Sequence, residues 1–176
     1  ETLSFICPIL VRGNTNLGDM NQVSGGLMGV SVVLPILNEE RDLRESVSAI
    51  LAQKYSGAFE VILALGPSSD RTNEIAKEIA AADSRVVLVD NPTGRTANGL
   101  NAAIAKSRFP IVSRIDGHAE ISPTYLTDAT ALLNKTGAVN VGGIMAAVGK
   151  TKLEKAFATA MRSPVGVVAS RFHVGG

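Results

Sequence analysis

The residues best suited to chemistry are an acid and an imidazole two positions apart, Asp116 and His118, with Gly117 between them. Hard divalent cations prefer carboxylate oxygens, and an imidazole extends the choice toward manganese. A carboxylate about 4 Å from a phosphate oxygen is repelled by about 4 kcal/mol at an effective dielectric constant near 20, and an intervening cation turns that repulsion into attraction. The pair therefore predicts Mn²⁺ or Mg²⁺ with a bound phosphate. The alternative is a simple Asp-Gly turn followed by a surface histidine.

Arg95 is the second candidate, because it stands at the predicted start of a helix, just after Gly94. The free N–H groups of a helix start favour anions, so the guanidinium of Arg95 could hold a diphosphate or a nucleobase. Taken alone, Arg95 is explained equally well as a solvated arginine. His173 is treated as a packed or surface histidine and is left out of the site.

The elements that must position these residues alternate regularly from Val30 onward. Apolar stretches predict strands over residues 30–36, 59–65, 86–89, 110–115 and 139–146, and amphipathic stretches between and after them, including 153–161, predict helices. This alternation predicts an α/β fold with a mostly parallel sheet and helices on both faces. In such sheets ligands bind beyond the carboxyl ends of the strands, which is where the candidate residues lie.

Helix starts are predicted from capping residues. Asn38 is expected to cap the first helix, with Glu39 and Glu40 as charges in its first turn rather than as catalysts. Asp70 is expected to cap the second helix, and Ser122-Pro123 to begin a later one. Residues 1–29 show no sustained period and predict an irregular extension, whereas 30–176 predict a single domain.

Composition excludes several classes of function. The formal net charge is +1 and aromatic residues make up 4% of the chain, so neither a basic surface nor a stacking platform for nucleic acid is expected. The single cysteine, Cys7, excludes an internal disulfide. No apolar run is long enough to span a bilayer, so we expect a soluble, cytoplasmic chain whose full-length form could lie at the inner face of the membrane.

Three other kinds of nucleotide or hydrolase site are excluded because the sequence lacks their motifs. The turn after the first long strand is Pro35-Ile36-Leu37-Asn38-Glu39-Glu40, which is not the Gly-x-Gly-x-x-Gly of a dinucleotide site. The chain also has neither a Gly-x-x-x-x-Gly-Lys phosphate loop nor a Gly-x-Ser-x-Gly nucleophile elbow.

The motifs together resemble a family-2 glycosyltransferase with the GT-A fold, most closely its succinoglycan and exopolysaccharide type. The resemblance runs from Val30 to about Leu133 and weakens beyond. It is carried by the Pro-x-x-Asn-Glu turn at Pro35, by the segment from Asn91 through Ile104, and by Asp116-Gly117-His118 in the place of the family's Asp-x-Asp motif.

The resemblance implies transfer, with inversion, of a sugar from a nucleoside-diphosphate sugar, with UDP-sugars favoured. A glycan or lipid-linked acceptor would receive it in exopolysaccharide or cell-envelope glycan synthesis. The implied cofactor is Mn²⁺ or Mg²⁺, held by Asp116 and His118. The implied donor-binding residues are Pro35, Leu37, Glu39, Gly66, Arg95, Asn101, Asp116 and Gly117.

Two departures from the family pattern limit these expectations. Leu65-Gly66-Pro67-Ser68-Ser69-Asp70 stands where the family has an Asp-Asp-Gly-Ser turn that recognises uracil. No acceptor-side catalytic base is found, so we expect a truncated chain that binds the donor without transferring the sugar. Two alternatives stay open, namely a non-catalytic nucleotide-binding or interaction module and, less well supported by the first turn, a nucleotidyltransferase.

Overall fold

A computed structural model describes residues 9–11, 28–119, 121–142, 156 and 159. The strands are β1 (Ile9–Val11), β2 (Val30–Ile36), β3 (Phe59–Leu65), β4 (Val86–Asp90), β5 (Ile111–Arg114) and β6 (Asn140–Val141). The helices are α1 (Leu43–Leu51), α2 (Thr72–Ala82), α3 (Thr96–Lys106) and α4 (Tyr125–Thr136). In the part of the chain so described, no helix is long and apolar enough to cross a membrane.

The strands form one sheet in the order β4-β3-β2-β5-β1-β6. Strands β4, β3, β2 and β5 are mutually parallel, and β1 runs antiparallel to both of its neighbours. The predicted α/β fold with a mostly parallel sheet is therefore confirmed. The bounds of β2 and β3 match the prediction because both strands are apolar, apart from Ser31 and Glu60, and buried on both faces.

Helices cover both faces of the sheet, as expected from the alternation. On one face Val32 and Leu34 of β2 belong to a buried cluster that also contains residues of α1, α2 and α4. On the other face Val33, Ile62 and Val112 pack with Ala103 of α3. Because the side chains of a strand alternate between faces, β2 supplies both clusters and lies at the centre of the core.

Ligands of open α/β sheets bind where the strand order reverses, and in this sheet that point is the boundary between β2 and β5. Going from β2, the chain adds β3 and β4 on one side and then crosses by α3 to β5 on the other, so this boundary is the topological switch point of the sheet. The β2–β5 pairing stops at Val33 and Arg114, whereas the β2–β3 pairing continues to Ile36 and Leu65. Pro35 has no N–H to extend the ladder toward β5, and this limits the pairing.

Some predicted bounds need correction. Ile9–Val11 forms β1 between β5 and β6, so an irregular structure for all of residues 1–29 is wrong at these positions. Three residues are too few to show a period, and only the neighbouring strands reveal their role. The domain division at residue 30 stays a prediction.

The later predictions fall mostly outside the described residues. Of the strand expected over 139–146, Asn140–Val141 is seen as β6, and residues 143–146 lie outside the described part. Of the helix expected over 153–161, only Ala156 and Thr159 are described, and both are helical. Cys7 and His173 also lie outside.

Helix α4 begins at Tyr125, later than the predicted start at Ser122-Pro123. The carbonyl of Ser122 accepts from Gln53 and that of Pro123 accepts from the backbone N–H of Lys54. The carbonyl of Ser122 also accepts from the N–H of Tyr125, so Ser122 and Pro123 belong to the turn that precedes the helix.

Candidate functional site

Most of the predicted site residues lie along one edge of the sheet, and Pro35 and Asn101 are the exceptions. Because β2, β3, β4 and β5 are parallel, the segments that follow them emerge at the same edge. This edge has two parts. A charged part lies at the switch point between β2 and β5, and a mainly apolar part lies beyond β2, β3 and β4.

His118 and Glu39 join the two sides of the switch point. The Nδ1 atom of His118 lies 3.0 Å from Oε1 of Glu39, and both side chains are mostly buried. Since a carboxylate accepts hydrogen bonds, the Nδ1–H of His118 donates, which fixes the orientation of the imidazole. A Cβ on Gly117 would lie 3.0 Å from Cγ of Glu39, so the glycine allows this close approach.

Asp116 has a different partner. Its Oδ1 accepts hydrogen bonds from Nε and Nη2 of Arg114, at 3.1 and 3.0 Å. The carboxylate is more buried than the guanidinium. Arg114 was not predicted as a site residue, although a lone cation in an otherwise apolar strand was a usable signal. Its charge lowers the repulsion that Asp116 would exert on a phosphate.

The fit of a divalent cation can be tested against these contacts. Among the described residues there is no group of three His, Cys, Asp or Glu side chains that could hold a metal ion. Asp116 already uses Oδ1 for Arg114, and His118 uses Nδ1 for Glu39. A cation held by Asp116 and His118 would therefore need further ligands from a bound substrate, such as phosphate oxygens, and the metal site stays a prediction.

The apolar part of the edge is the apolar platform, which we define as Leu37, Gly66, Pro67 and Gly94. A Cβ on Gly66 would lie 3.0 Å from Cδ1 of Leu37, and one on Gly94 would lie 3.1 Å from Cδ of Pro67 and 3.6 Å from Cδ2 of Leu37. Gly94 has a φ of 66°, which other residues rarely adopt. The two glycines thus let the turns after β2, β3 and β4 pack closely.

The turn after β2 is fastened to the turn after β3, which corrects the predicted helix caps. Asn38 has a φ of 56°, its N–H donates to Ser68, and its Oδ1 accepts from the N–H of Ser69. Helix α1 begins only at Leu43, so Asn38 is not its cap. Glu39 and Glu40 are consequently turn residues and not charges in its first turn.

The carboxylate of Asp70 contacts both the turn after β2 and the start of α2. Its Oδ1 accepts from the N–H and hydroxyl of Thr72, the first residue of α2, and its Oδ2 accepts from the N–H of Glu40. The N-cap of α2 is Arg71, so Asp70 is not the cap as predicted; it binds the first N–H of α2 from the preceding position and also ties the two turns. The Thr72 hydroxyl holds the pKa of this carboxyl below its usual range. Thr72 also accepts from the N–H of Glu39 at 2.7 Å and so helps position that residue.

Arg95 precedes α3 at the far side of the edge. The amide of Asn91 donates to its carbonyl, and the hydroxyl of Thr93 accepts its N–H. Its side chain is exposed, and among the described residues no hydrogen-bond or ion-pair partner of its guanidinium is found. Three strand spacings of about 4.8 Å place β4 ~14 Å from β5. Arg95 follows β4 and Asp116 follows β5, so β3 and β2 lie between the two strands from which they emerge.

Two further predicted donor-binding residues, Pro35 and Asn101, lie farther from this edge of the sheet. Pro35 is inside β2, where a Cβ on Gly99 of α3 would lie 3.2 Å from its Cβ. Asn101 lies on the exposed surface of α3, more than one turn from its start. Their roles in donor binding stay predictions.

Comparisons with known proteins give the class. The model of glycosyl transferase family 2 matches residues 31–171, and the chain belongs to this family. Succinoglycan biosynthesis protein ExoA of Rhizobium meliloti is 30% identical over 146 residues, covering 82% of this chain and 44% of ExoA. The protein EpsE of Bacillus subtilis, assigned by its name to the glycosyltransferases, is 39% identical over 108 residues, covering 60% of this chain and 38% of EpsE.

A solved structure supports the same fold. Residues 1–349 of TarS from S. aureus, in complex with UDP, match with a TM-score of 0.56 and 22% identity, covering 62% of this chain and 33% of that one. The same TarS fragment has been solved with UDP-GlcNAc. The resemblance to a family-2 glycosyltransferase with the GT-A fold is therefore confirmed. The chain spans less than half the length of each of these relatives.

Proposed function

We propose that this chain is the donor-binding part of an inverting glycosyltransferase that acts in exopolysaccharide or cell-envelope glycan synthesis. The donor is a nucleoside-diphosphate sugar, and a UDP-sugar is the first one to test because UDP and UDP-GlcNAc bind TarS. The acceptor is a glycan or a lipid-linked glycan.

One observation carries this proposal: charged residues from two strands meet at the switch point of the sheet. Glu39 follows β2, and Asp116 and His118 follow β5. Ligands of open α/β sheets bind at such a point, beyond the carboxyl ends of the strands. The same edge continues across the apolar platform to Arg95, which gives an extended surface with a charged group at each side.

The residues of the edge have different roles in binding the donor. Arg114 neutralises part of the charge of Asp116, so that a diphosphate can approach. Glu39 fixes the imidazole of His118, and Gly117 leaves room for the side chain of Glu39 to approach. The guanidinium of Arg95 and the start of α3 favour the anionic part of the nucleotide.

The proposed reaction is an in-line displacement at the anomeric carbon. The acceptor oxygen forms the new glycosidic bond, the bond to the diphosphate breaks, and the hydroxyl proton goes to a general base. We assign that base to no described residue. Asp116 and His118 would hold a divalent cation, which supplies charge neutralisation for the departing diphosphate when bound.

Titration calorimetry with UDP-glucose, in the presence and absence of Mn²⁺, tests donor binding. We expect Mn²⁺-dependent binding that Asp116→Asn weakens about tenfold or more, since a charged contact is lost at a phosphate site. The melting temperature should change little, because Arg114 is partly exposed and such pairs contribute about 1 kcal/mol or less.

Asp83→Asn is the matched control. Asp83 also pairs with an arginine two residues away, Arg85, at 2.8 Å, but it lies before β4 at the opposite end of the sheet. It should leave UDP-glucose affinity unchanged. Equal losses of affinity in both variants, or no nucleotide-sugar binding by the unchanged chain, would refute the proposal. Nucleotide binding without any contribution from the sugar would favour a non-catalytic binding module.

A further inference from the structure

The turn that carries Glu39 belongs to no helix or strand. Residues 37–42 lie between the end of β2 and the start of α1. Within this turn Asn38 has a φ of 56°, in the left-handed region that favours glycine. A residue other than glycine keeps that conformation where the surrounding contacts fix it. The position of Glu39 is therefore set by contacts with another segment.

Those contacts come from the segment between β3 and α2. Three successive backbone N–H groups, those of residues 38, 39 and 40, donate to side-chain oxygens of that segment. The acceptors are, in the same order, Ser68, Thr72 and Asp70. The bond to Thr72 is the shortest, at 2.7 Å, compared with 3.1 and 3.2 Å for the other two. Thr72 is also fully buried, so water does not compete for its hydroxyl.

The hydroxyl of Thr72 has a defined direction. It donates to Oδ1 of Asp70 at 2.5 Å, because an ionised carboxylate can only accept. Its lone pairs are then left for the N–H of Glu39. The backbone N–H of Thr72 also donates to Oδ1 of Asp70, at 2.9 Å. Thr72 is thus fixed at the start of α2 and holds the backbone of Glu39 from there.

Glu39 carries this arrangement to the switch point. Its carbonyl accepts from the N–H groups of Asp42 and Leu43, so its backbone is held from both sides. Its carboxylate lies 3.0 Å from Nδ1 of His118 and packs against Gly117. A displacement of about 1 Å would stretch the contact with His118 beyond hydrogen-bond range.

We propose that Thr72 is a positioning residue for the donor: its hydroxyl holds Glu39, and Glu39 in turn orients the imidazole of His118. Because Thr72 is fully buried, it acts through Glu39 and not by contact with the ligand. This inference rests on the proposed function and adds to it a residue of α2. A purely structural role would make Thr72 affect stability while leaving His118 and the donor affinity unchanged.

Thr72→Val and Thr72→Ser separate the hydroxyl from the rest of the side chain. Valine has nearly the same shape but cannot accept from the N–H of Glu39. Calorimetry with UDP-glucose and Mn²⁺ should therefore show a loss of affinity of about tenfold, or ~1.4 kcal/mol. Serine keeps the hydroxyl and should retain the affinity within about threefold. Thr72→Ala takes the place of Thr72→Val if the latter does not fold.

The tautomer of His118 gives a second readout, which needs no ligand. A neutral imidazole has its proton on one nitrogen, and the partner of the ring selects which. In alkaline buffer, ¹⁵N NMR of the full chain should show the proton on Nδ1 of His118, and Thr72→Val should reduce that fraction. The chain has two histidines, so His173→Gln assigns the signals. A proton on Nε2 of His118 in the unchanged chain would overturn the inference without any variant.

Thr130→Val is the matched control. Thr130 is 2% exposed in α4, and its hydroxyl donates to the carbonyl of Leu126 in the same helix. This variant should lower the melting temperature but change neither the UDP-glucose affinity nor the tautomer of His118. In a Glu39→Ala background, Thr72→Val should cost little further affinity, since the residue through which it acts has lost its carboxylate.

The outcomes distinguish this inference from the proposed function. Equal affinity losses in Thr72→Val and Thr130→Val, an equal loss in Thr72→Ser, or no loss in Thr72→Val would overturn the role of Thr72 and leave the proposed function intact. Full additivity with Glu39→Ala would do the same. No binding of UDP-glucose by the unchanged chain would instead overturn the proposed function, while the tautomer of His118 would still report on Thr72.

Discussion

Carboxylates at the two ends of the parallel sheet differ in burial and in the number of hydrogen bonds that they accept. At the amino end Glu60 is 1% exposed, and its carboxylate accepts hydrogen bonds from Ser31 at 2.7 Å and from the N–H and side chain of Arg108 at 2.8 and 2.6 Å. The hydroxyl of Ser31 also accepts from the N–H of Phe109. At the carboxyl end Asp116 and Glu39 are less buried and accept from fewer described groups.

This difference separates structural charge from functional charge. A buried carboxylate is retained only if it is fully hydrogen-bonded, and Glu60 meets that condition by joining the amino ends of β2 and β3 to the segment before β5. At the switch point, Asp116 and Glu39 are only partly buried and lie where ligands of such sheets bind. We therefore expect substitutions at the amino end to change stability and substitutions at the carboxyl end to change binding.

The largest expected effect is that of Glu60→Ala on stability. It leaves the buried hydroxyl of Ser31 without its acceptor and removes the bonds to Arg108, so the free energy of unfolding should fall by about 3 kcal/mol. Urea denaturation measures this loss. At a temperature where the variant is folded, its affinity for UDP should equal that of the unchanged chain; a weaker affinity would break the proposed separation of the two ends.

Arg114→Gln should change binding by about tenfold, or ~1.4 kcal/mol, in the absence of a divalent cation. Without the guanidinium, Asp116 repels the diphosphate, and UDP affinity falls; Mn²⁺ should restore most of it, because the cation takes over the neutralisation. Calorimetry with and without Mn²⁺ tests this. A loss that Mn²⁺ does not reduce would mean that Arg114 contacts the nucleotide itself.

Gly117→Ala and Gly137→Ala form a matched pair. Each is expected to cost about 1 kcal/mol, in binding for Gly117→Ala and in stability for Gly137→Ala. A Cβ on Gly137 meets nothing within 4 Å, but its φ of 65° makes alanine cost about 1 kcal/mol in stability with no effect on UDP binding. A Cβ on Gly117 would displace Glu39, so that variant should weaken UDP binding several-fold. Thermal unfolding together with calorimetry separates the two. If both variants bind UDP alike, the contact between Gly117 and Glu39 is not part of the site.

The smallest expected effect is a dependence of stability on pH, which Glu60 causes at the amino end of the sheet. Burial raises the pKa of Glu60, but the hydrogen bonds from Arg108 and Ser31 outweigh it and hold the pKa below its ordinary value of 4.5. The ionised carboxylate therefore stabilises the fold above pH 4.5, and this contribution is lost as the pH falls through the lower, folded-state pKa.

Glu60→Gln should remove this pH dependence. The stabilities of the variant and the unchanged chain should differ at pH 7 and converge below pH 4.5. Melting temperatures recorded between pH 7 and pH 3 test this. Parallel curves would show that another carboxyl group determines the acid limb.

Much of the fold was predictable because apolar runs mark buried strands. β2 and β3 match their predicted bounds, whereas β1 was missed because three residues carry no period. The helix caps predicted from local chemistry at Asn38 and Ser122 were wrong, because the N-caps are Asp42 and Thr124. Asn38 instead uses its N–H and Oδ1 on Ser68 and Ser69. Local propensity is a weak guide wherever tertiary hydrogen bonds compete for the same atoms.

By itself the sequence determined the family, the alternation of strands and helices, and the edge at which Asp116, His118 and Arg95 emerge. Only the tertiary structure decided which of these groups meet. It paired His118 with Glu39 across 79 positions of the chain and packed Gly94, the residue before Arg95, against Pro67 and Leu37. The physical reason is that sheet order and ladder length are set by long-range packing, so the neighbours of a strand end cannot be derived from its own residues.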